Sequence, residues 1–305
     1  MNAAICLTLY GVVLAWLSPA LLDRLTRDGT SPRLSVALWL SAIAVAAVAW
    51  VGAGAGLIVN FVATHRGSEP VRYCLDVLLA VHRFGWVGDL MLIAVAVAGV
   101  AASAVLVRRV LQTLRRLSAR SCEHAHAAHL LGTGARSNGV VVLPSEQRAA
   151  YCVAGRPSAI VVTSGAVSSL GADELAAVLA HERAHLRARH PQLLMVLKSL
   201  ATTMPGLPLV RRGADAVARL VEMCADDVAA RRYGPDAVLR SLAALAGQPR
   251  AVGTLGAADT AVLARVMRLA NPVDAGTSRC HGAVVAATIV ALVLAPPVVL
   301  VAGHL

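Results

Sequence analysis

The stretch GADELAAVLAHERAHLRARH, residues 171–190, decides how this chain folds and carries its most informative motif. Apolar residues recur in it at helical spacing, with acidic residues in the first turn and arginines in the last, so it predicts a helix that ends at Pro191. His181, Glu182 and His185 form an H-E-x-x-H sequence within this helix. Because residues four apart lie on the same helix face, both imidazoles can bind one metal ion.

The residue types of this motif predict one class of reaction. Histidine is a common zinc ligand, and zinc makes a bound water acidic enough to attack a carbonyl near neutral pH. Glu182 lies beside the two histidines, where its carboxylate can act as general base and acid. The motif therefore predicts metal-assisted hydrolysis of peptide bonds, with one Zn²⁺ ion as cofactor. The alternative is an ordinary amphipathic helix with two surface histidines, because the motif also occurs by chance.

A zinc site needs a third protein ligand, and residues 214–232 offer one on a second predicted helix. Glu222 is the predicted ligand. Asp226, one turn on, is predicted to accept a hydrogen bond from the outer nitrogen of a ligating histidine. Asp227 suits that role less well, because it is rotated about 100° from Asp226 on a helix. In the alternative interpretation both carboxylates pair with arginines on a solvated face, namely Arg219, Arg231 or Arg232.

The combination of HERAH with a later ExxxD, Glu222 to Asp226, resembles the gluzincin-type membrane metallopeptidases. It is most similar to the BlaR/MecR-type antirepressor peptidases in their short actinobacterial form, which share a helix ending in R-x-R-H-P and an LVEM-x-ADD segment. Heat-shock and CAAX membrane metallopeptidases are more distantly similar. The likeness covers residues 140–269 at motif level. It implies a membrane zinc endopeptidase whose substrate is a winged-helix transcriptional repressor, cleaved in signal-dependent derepression.

The composition predicts a membrane protein. The chain of 305 residues is 57% hydrophobic with a mean hydropathy of +0.68, which is too apolar for a soluble domain of this length. Four stretches are long and apolar enough to span a bilayer: residues 2–22, 34–63, 88–107 and 282–302. The first could instead be a signal peptide, although it lacks a basic residue before its apolar core and a clear cleavage site.

Arginines follow the third predicted span with no acidic residue among them: Arg108, Arg109, Arg115, Arg116 and Arg120. Positive residues that flank a span stay on the cytoplasmic side, so we expect the region after this span in the cytoplasm of a multi-pass plasma-membrane protein. Counting back places the loop at 23–33 inside and the N-terminus outside. The net charge of +11 could also indicate nucleic-acid binding, but no interleaved aromatics or binding motif accompany the cluster. The predicted partners are the lipid bilayer and a cytoplasmic protein substrate.

The predicted fold class is a mainly α membrane protein, with about four transmembrane helices and a cytoplasmic α+β zincin-like metallopeptidase domain. We expect a three-helix transmembrane region at 1–107, the peptidase domain at 108–279 and a last transmembrane helix at 280–305. Short β-prone runs at 140–143, 150–153 and 159–163 predict a small sheet. The third run is our expected edge strand, which would pair with the extended substrate, or else a simple packing strand.

Three other features have weaker interpretations. Residues 192–201 predict a core helix or one on the membrane surface. His190 and Arg268 are both candidates to stabilise an oxyanion, and the sequence does not decide between them. Histidines and a cysteine cluster after the arginines, but no partner with ligand spacing follows, so a partly solvated helix is favoured over a second metal site. These residues are Cys122, His124, His126 and His129.

Two other functions compete with the antirepressor hypothesis. A membrane quality-control or processing metalloprotease would need the same motif. A non-enzymatic, membrane-anchored regulator would use the metal fold to bind a cytoplasmic partner. The complete motif argues against this last possibility, because a scaffold has no need of Glu182.

Overall fold

The computed structural model describes residues 3–65, 86–132, 139–155, 157–246 and 255–302. Among these residues, four helices come before the strands: α1 (Ala3–Trp16), α2 (Ser18–Thr26), α3 (Pro32–His65) and α4 (Trp86–Leu131). Three strands follow: β1 (Val140–Leu143), β2 (Ala150–Val153) and β3 (Ala159–Thr163). The rest of the described chain is helical: α5 (Ser164–Ser169), α6 (Ala172–Arg187), α7 (His190–Thr203), α8 (Pro208–Tyr233), α9 (Pro235–Ala246), α10 (Leu255–Ala270) and α11 (Ala275–Ala302).

Several helices are long and apolar enough to cross a membrane. They include Pro32–Gly56, Val97–Leu131 and Ala275–Val298, and the bent pair α1 and α2 could form one more, broken span. The prediction of a mainly α membrane protein with about four spans and a small sheet is confirmed. The predicted division at residue 107 stays a prediction, and α4 runs through that position as one continuous helix.

The first predicted span is bent in the structure. α1 and α2 meet at an angle of 48°. Pro19 stands in the first turn of α2. Proline has no N–H to donate to the preceding turn, and its ring clashes there, so the helix breaks just before it. The hydroxyl of Ser18 donates to the carbonyl of Leu14 at 2.6 Å and so satisfies one backbone acceptor at the break.

The sheet has the order β1-β3-β2, with β1 parallel and β2 antiparallel to β3. All five residues of β3 are buried. The prediction that residues 159–163 form an edge strand is therefore wrong, because both sides of β3 are paired. The physical reason is that a strand that is apolar on both faces suits the centre of a sheet. Among the described strands, β2 and β1 form the edges.

The largest hydrophobic core joins α2, α3 and α11 to α7 and α8. Trp39 and Leu38 of α3 are fully buried against Leu220 and Val217 of α8. Gly213 of α8 permits close helix contact there, since a Cβ at this position would lie 3.0–3.1 Å from side-chain atoms of α3. The segment 192–201 also faces this core, because α7 contributes Leu197 to it. One face of α8 therefore packs against predicted membrane helices.

The turn between α2 and α3 is held by contacts with α8, α10 and α11. Arg268 of α10 donates through Nε to the carbonyl of Gly29 at 2.9 Å. Gly29 has a positive φ of 59°, and a Cβ there would lie 2.2 Å from Sδ of Met223 on α8, so only glycine fits. His281 of α11 donates to the carbonyl of Leu25 at 2.9 Å. This turn consequently lies on the same side of the predicted spans as the parts of α8 and α10 that contact it.

Candidate metal centre

The H-E-x-x-H helix, α6, lies between the sheet and two helices. Val178 on one face packs against β3 in a cluster with Ile160. Ala177 and Ala180 on another face pack against α8 and α9. The helix begins with a hydrogen bond of 3.0 Å from the N–H of Gly171 to the carboxylate of Glu174. Packing on two sides fixes the direction of the histidines between them.

The three predicted ligands meet at one point. Suitable donor atoms of His181, His185 and Glu222 all lie within 4.8 Å of one another. The two Nε2 atoms are 3.1 Å apart, and they lie 3.5 Å and 3.4 Å from the two oxygens of Glu222. Two atoms that are each about 2.0–2.1 Å from a tetrahedral zinc ion are roughly 3.3 Å apart. The spacing and the His, His, Glu donor set therefore fit a catalytic zinc ion.

The outer nitrogen of His181 faces a buried carboxylate. Nδ1 lies 3.0 Å from Oδ1 of Asp226, whose side chain is fully buried. Burial alone would raise the pKa of Asp226, but hydrogen bonds from Arg265 and His181 outweigh it and lower the pKa to about 2. Burial likewise opposes protonation of His181, yet its bonds to Asp226 and Glu222 raise the pKa to about 9. Asp226 thus orients His181 with Nε2 towards His185 and Glu222.

The arginine partner of these carboxylates is Arg265 of α10, rather than Arg219, Arg231 or Arg232. Its Nε and one terminal nitrogen each donate to a different oxygen of Asp226 at 2.7 Å. Its other terminal nitrogen lies 3.2 Å from Oε2 of Glu222. The sequence analysis gave Arg265 no role.

The outer nitrogen of His185 faces another imidazole. Nδ1 of His185 lies 3.0 Å from Nδ1 of His190. Burial lowers the pKa of His185 to about 4 and also lowers that of His190, so both rings are neutral at pH 7. One N–H is then shared between them, and a proton on Nδ1 of His185 leaves its Nε2 free for a metal. His190 therefore backs a ligand on the side away from Glu222, which does not suit the oxyanion role considered from the sequence.

A strained residue brings His190 into place. α6 ends at Arg187, and Arg189 adopts the left-handed conformation with φ 55° and ψ 32° before α7 begins at His190. A residue with a side chain rarely adopts this conformation, and it costs about 1–2 kcal/mol. Pro191 then stands in the first turn of α7, where proline is well tolerated. The sequence analysis placed the helix end at Pro191, but the helix ends at Arg187 and Pro191 belongs to the next helix, because Arg189 reverses the chain between them.

Glu182 lies against the edge strand. Glu182 is 9% exposed, and burial is the main cause of the raised pKa of its carboxyl. The thiol of Cys152 on β2 interacts with it, and burial together with the nearby charge raises the pKa of that thiol to about 12. Cys152 is therefore neutral at pH 7. A carboxyl with a raised pKa is well suited to take up and return a proton near neutral pH.

A cleft of about 280 Å³ opens beside these groups. His181, Glu182 and Arg265 lie along its polar part. Its other wall is apolar and comes mainly from α9, with Val238, Leu242 and Leu245. The chain just before β2 and its first residue complete the rim, at Arg148, Ala149 and Ala150. The cleft thus runs past an edge strand, with polar groups on one side and apolar groups on the other.

The remaining sequence candidates lie elsewhere. Arg268 donates to Asp227 at 2.6 Å and to the carbonyl of Gly29, so it is not an oxyanion residue of this cleft. His124 and His126 are exposed on α4. Within the described part of the chain, His181, His185 and Glu222 are the one group of histidine, cysteine and acidic residues that could share an ion.

Comparison with known proteins gives one match. Residues 112–219 match the family model named Peptidase family M48. No curated protein and no solved structure matches the chain. The matched range includes the H-E-x-x-H helix and ends just before Glu222. Together with the three converging side chains, this match supports a zincin-type metallopeptidase.

Proposed function

We propose that this protein is a membrane-embedded, zinc-dependent endopeptidase that hydrolyses peptide bonds of a cytoplasmic protein. His181, His185 and Glu222 would hold the zinc ion, and Glu182 would be the general base and acid. Asp226 would orient His181 by accepting a hydrogen bond from its Nδ1 atom. The observation that carries the proposal is the convergence of three ligand atoms of the right types next to a buried carboxylate.

The chain's own residues supply binding and proton transfer. Zinc in such a site acidifies a water molecule and polarises the carbonyl of the bond to be cleaved. Glu182 takes the proton of the attacking water and returns it to the leaving amine, which its raised pKa favours. Asp226 and His190 hold the two imidazoles in the orientation in which Nε2 faces Glu222.

An extended peptide suits the cleft. β2 is an edge of the sheet, and it contributes Ala150 to the cleft rim and Cys152 to the surroundings of Glu182. Backbone groups of an edge strand can pair with an added chain, and the wall on α9 can take an apolar side chain. β2 thus takes the role that the sequence analysis gave to residues 159–163.

The substrate proposed within this class is a winged-helix transcriptional repressor, and the reaction would derepress its target genes. The support is the resemblance of HERAH and the LVEM-x-ADD segment to antirepressor peptidases. Incubation of the purified protein with winged-helix repressors from its own host would test it. A specific cleavage that Glu182→Gln abolishes supports the proposal, whereas an intact repressor contradicts it and favours a processing or quality-control role.

The proposed sidedness rests on charge and contact together. The arginines of α4 favour the cytoplasmic side for the region after the apolar part of that helix. Arg268 of α10 donates a hydrogen bond to the carbonyl of Gly29, which supports the placement of the 23–33 loop and α10 on one side, as counting the spans back from the arginine cluster predicts. Reporter fusions that are active in one compartment test this: a fusion after Gly29 and one after Ala246 should both be active in the cytoplasm.

The decisive experiment separates metal binding from proteolysis. Glu182→Gln keeps the size of the side chain but cannot accept a proton. We expect the purified full chain to bind one zinc ion as tightly as wild type and to lose cleavage of the unstructured probe β-casein by a factor of at least about 100. The measurements are zinc content and the rate of peptide-bond cleavage.

Glu146→Gln is the matched control, because Glu146 is exposed in the loop before β2 and contacts no ligand residue. It should cleave at the wild-type rate. Wild-type protein that binds no zinc, or a Glu182→Gln protein that is fully active, would contradict the proposed function. Unchanged biological output from an inactive Glu182→Gln protein would favour the scaffold hypothesis instead.

A further inference from the structure

The inference concerns Arg265, which the sequence motifs do not mark. It contacts two carboxylates of the site at once. Two of its nitrogens donate to Asp226, and the third lies 3.2 Å from Glu222. Oε2 of Glu222, the oxygen that Arg265 approaches, is also the one that lies 3.5 Å from Nε2 of His181. One guanidinium therefore connects the third ligand to the group behind the first ligand.

Burial makes this contact necessary. The side chain of Asp226 is fully buried, and that of Arg265 is 13% exposed. A buried carboxylate is costly unless it is paired and fully hydrogen-bonded. His181 engages one oxygen of Asp226, and the planar fork of Arg265 engages both. Without the fork, Oδ2 of Asp226 would lose a buried partner and the carboxylate could rotate away from His181.

We propose that Arg265 is a positioning residue of the metal site, which fixes the carboxylates of Asp226 and Glu222 relative to each other and so sets the geometry of the ligands. The proposal rests on the proposed function, because it assumes that the three side chains hold zinc. Arg265 acts through Asp226 and Glu222 and does not itself ligate the ion. α10 thereby becomes part of the metal site, although none of its residues is a ligand.

The chain contains a matched control for this role. Arg268 lies one turn further along α10 and pairs with Asp227, the neighbour of Asp226 on α8. Its side chain is 16% exposed, close to the value for Arg265. Its other contact is the carbonyl of Gly29. The two arginines tie the same two helices together, but only Arg265 of this pair reaches residues of the metal site.

The experiment compares Arg265→Met, Arg265→Lys and Arg268→Met with wild type in the full chain in detergent. Zinc affinity is measured by competition with a chromophoric chelator, and ligand geometry by the visible absorption of the Co²⁺-substituted protein. We expect Arg265→Met to bind zinc about 10–100-fold more weakly and to shift the Co²⁺ bands. Arg265→Lys should recover part of the affinity, because it restores the charge but not the bidentate fork.

Arg268→Met should match wild type in both measurements, to within about twofold, since it leaves every contact of the site intact. Equal losses in the two methionine variants would assign the effect to helix docking and overturn the proposal. A folded Arg265→Met protein with wild-type affinity and spectrum would also overturn it. If Arg265→Met does not fold, Arg265→Lys carries the same test. Wild-type protein that binds no zinc would instead be a failure of the proposed function.

Discussion

The two histidines of the motif are one turn apart on the same helix, yet their surroundings differ in kind. His181 is backed by an ionised carboxylate, Asp226, which is in turn held by Arg265. His185 is backed by a second neutral imidazole, His190. Accordingly the pKa of His181 is raised to about 9 in the metal-free protein, while that of His185 is lowered to about 4.

Asp226 and His190 therefore affect the histidines that they contact in different ways. A carboxylate behind an imidazole increases its basicity and fixes its tautomer. A neutral histidine fixes the tautomer while adding no charge to a site that already contains Glu182, Glu222 and Asp226. The charged side depends on a buried ion pair from two helices, whereas the neutral side depends on the strained turn at Arg189.

The largest expected effect comes from removal of the charged partner. Asp226→Asn keeps the shape of the side chain but leaves the guanidinium of Arg265 buried beside a neutral amide. We expect a loss of about 3–5 kcal/mol in the free energy of unfolding of the metal-free protein, since one member of a buried pair is removed. Zinc affinity should fall by about 10–100-fold. Thermal denaturation and chelator competition measure the two quantities. If the variant were as stable as wild type, Asp226 and Arg265 would not form a buried ion pair in the protein in its membrane.

A smaller effect is expected from the neutral partner. His190→Ala removes one hydrogen-bond partner of His185 but leaves no uncompensated charge. We expect a loss of about 1–3 kcal/mol in stability, the cost of one unsatisfied buried group. Zinc affinity should fall by about 10-fold, the lower end of the range for such partners. A larger loss of stability or of zinc affinity in His190→Ala than in Asp226→Asn would contradict the expected difference between the two sides.

The pKa values of His181 and His185 are shifted in opposite directions, so the denaturation midpoint of the metal-free protein should vary with pH by a few degrees. The raised pKa of His181 contributes stability below its unfolded pKa of about 6.5, and that stability is lost as the pH rises towards 9. The lowered pKa of His185 has the opposite effect, because the unfolded chain binds the extra proton, so stability falls as the pH drops from 6.5 to about 4. The midpoint should therefore be highest near pH 6.5.

Asp226→Asn sharpens this test, because it removes the main cause that keeps His181 protonated. The decrease of the midpoint between pH 6.5 and 9 should become shallower in that variant, while the decrease on the acid side persists. Chelator-treated wild-type protein whose midpoint rises steadily from pH 6.5 to 9 would contradict the assignment of a charged His181.

Local periodicity was enough to predict the helices of the site and the pairs of residues on them. The i, i+4 spacing selected His181 with His185 and Glu222 with Asp226, and the structure brings all four together. Proline chemistry explains the break before α2, but the sequence analysis treated residues 2–22 as one helix because their apolar character is continuous. The order of the strands was not predictable either, since β3 pairs with two partners that local pattern does not specify.

The residues that support the ligands were harder to find. Arg265 reaches Asp226 because α10 packs beside α8, and a distance of 39 positions along the sequence gives no signal of that contact. His190 reaches His185 through a single left-handed residue, Arg189, whose conformation is unfavourable for arginine and is imposed by the fold. Ligands repeat at helical spacing, whereas their supports come from tertiary contacts.

The close contact between α3 and α8 couples a predicted membrane span to the helix that carries Glu222. Gly213 rests on Trp39 of α3, and Glu222 lies further along the same rigid helix. A lipid environment of different thickness changes the tilt that suits a long apolar helix such as α3. That tilt would be passed to α8 as a small displacement of Glu222 from the two imidazoles. Under the proposed function, we therefore expect the zinc affinity to change with the chain length of the lipids around the protein.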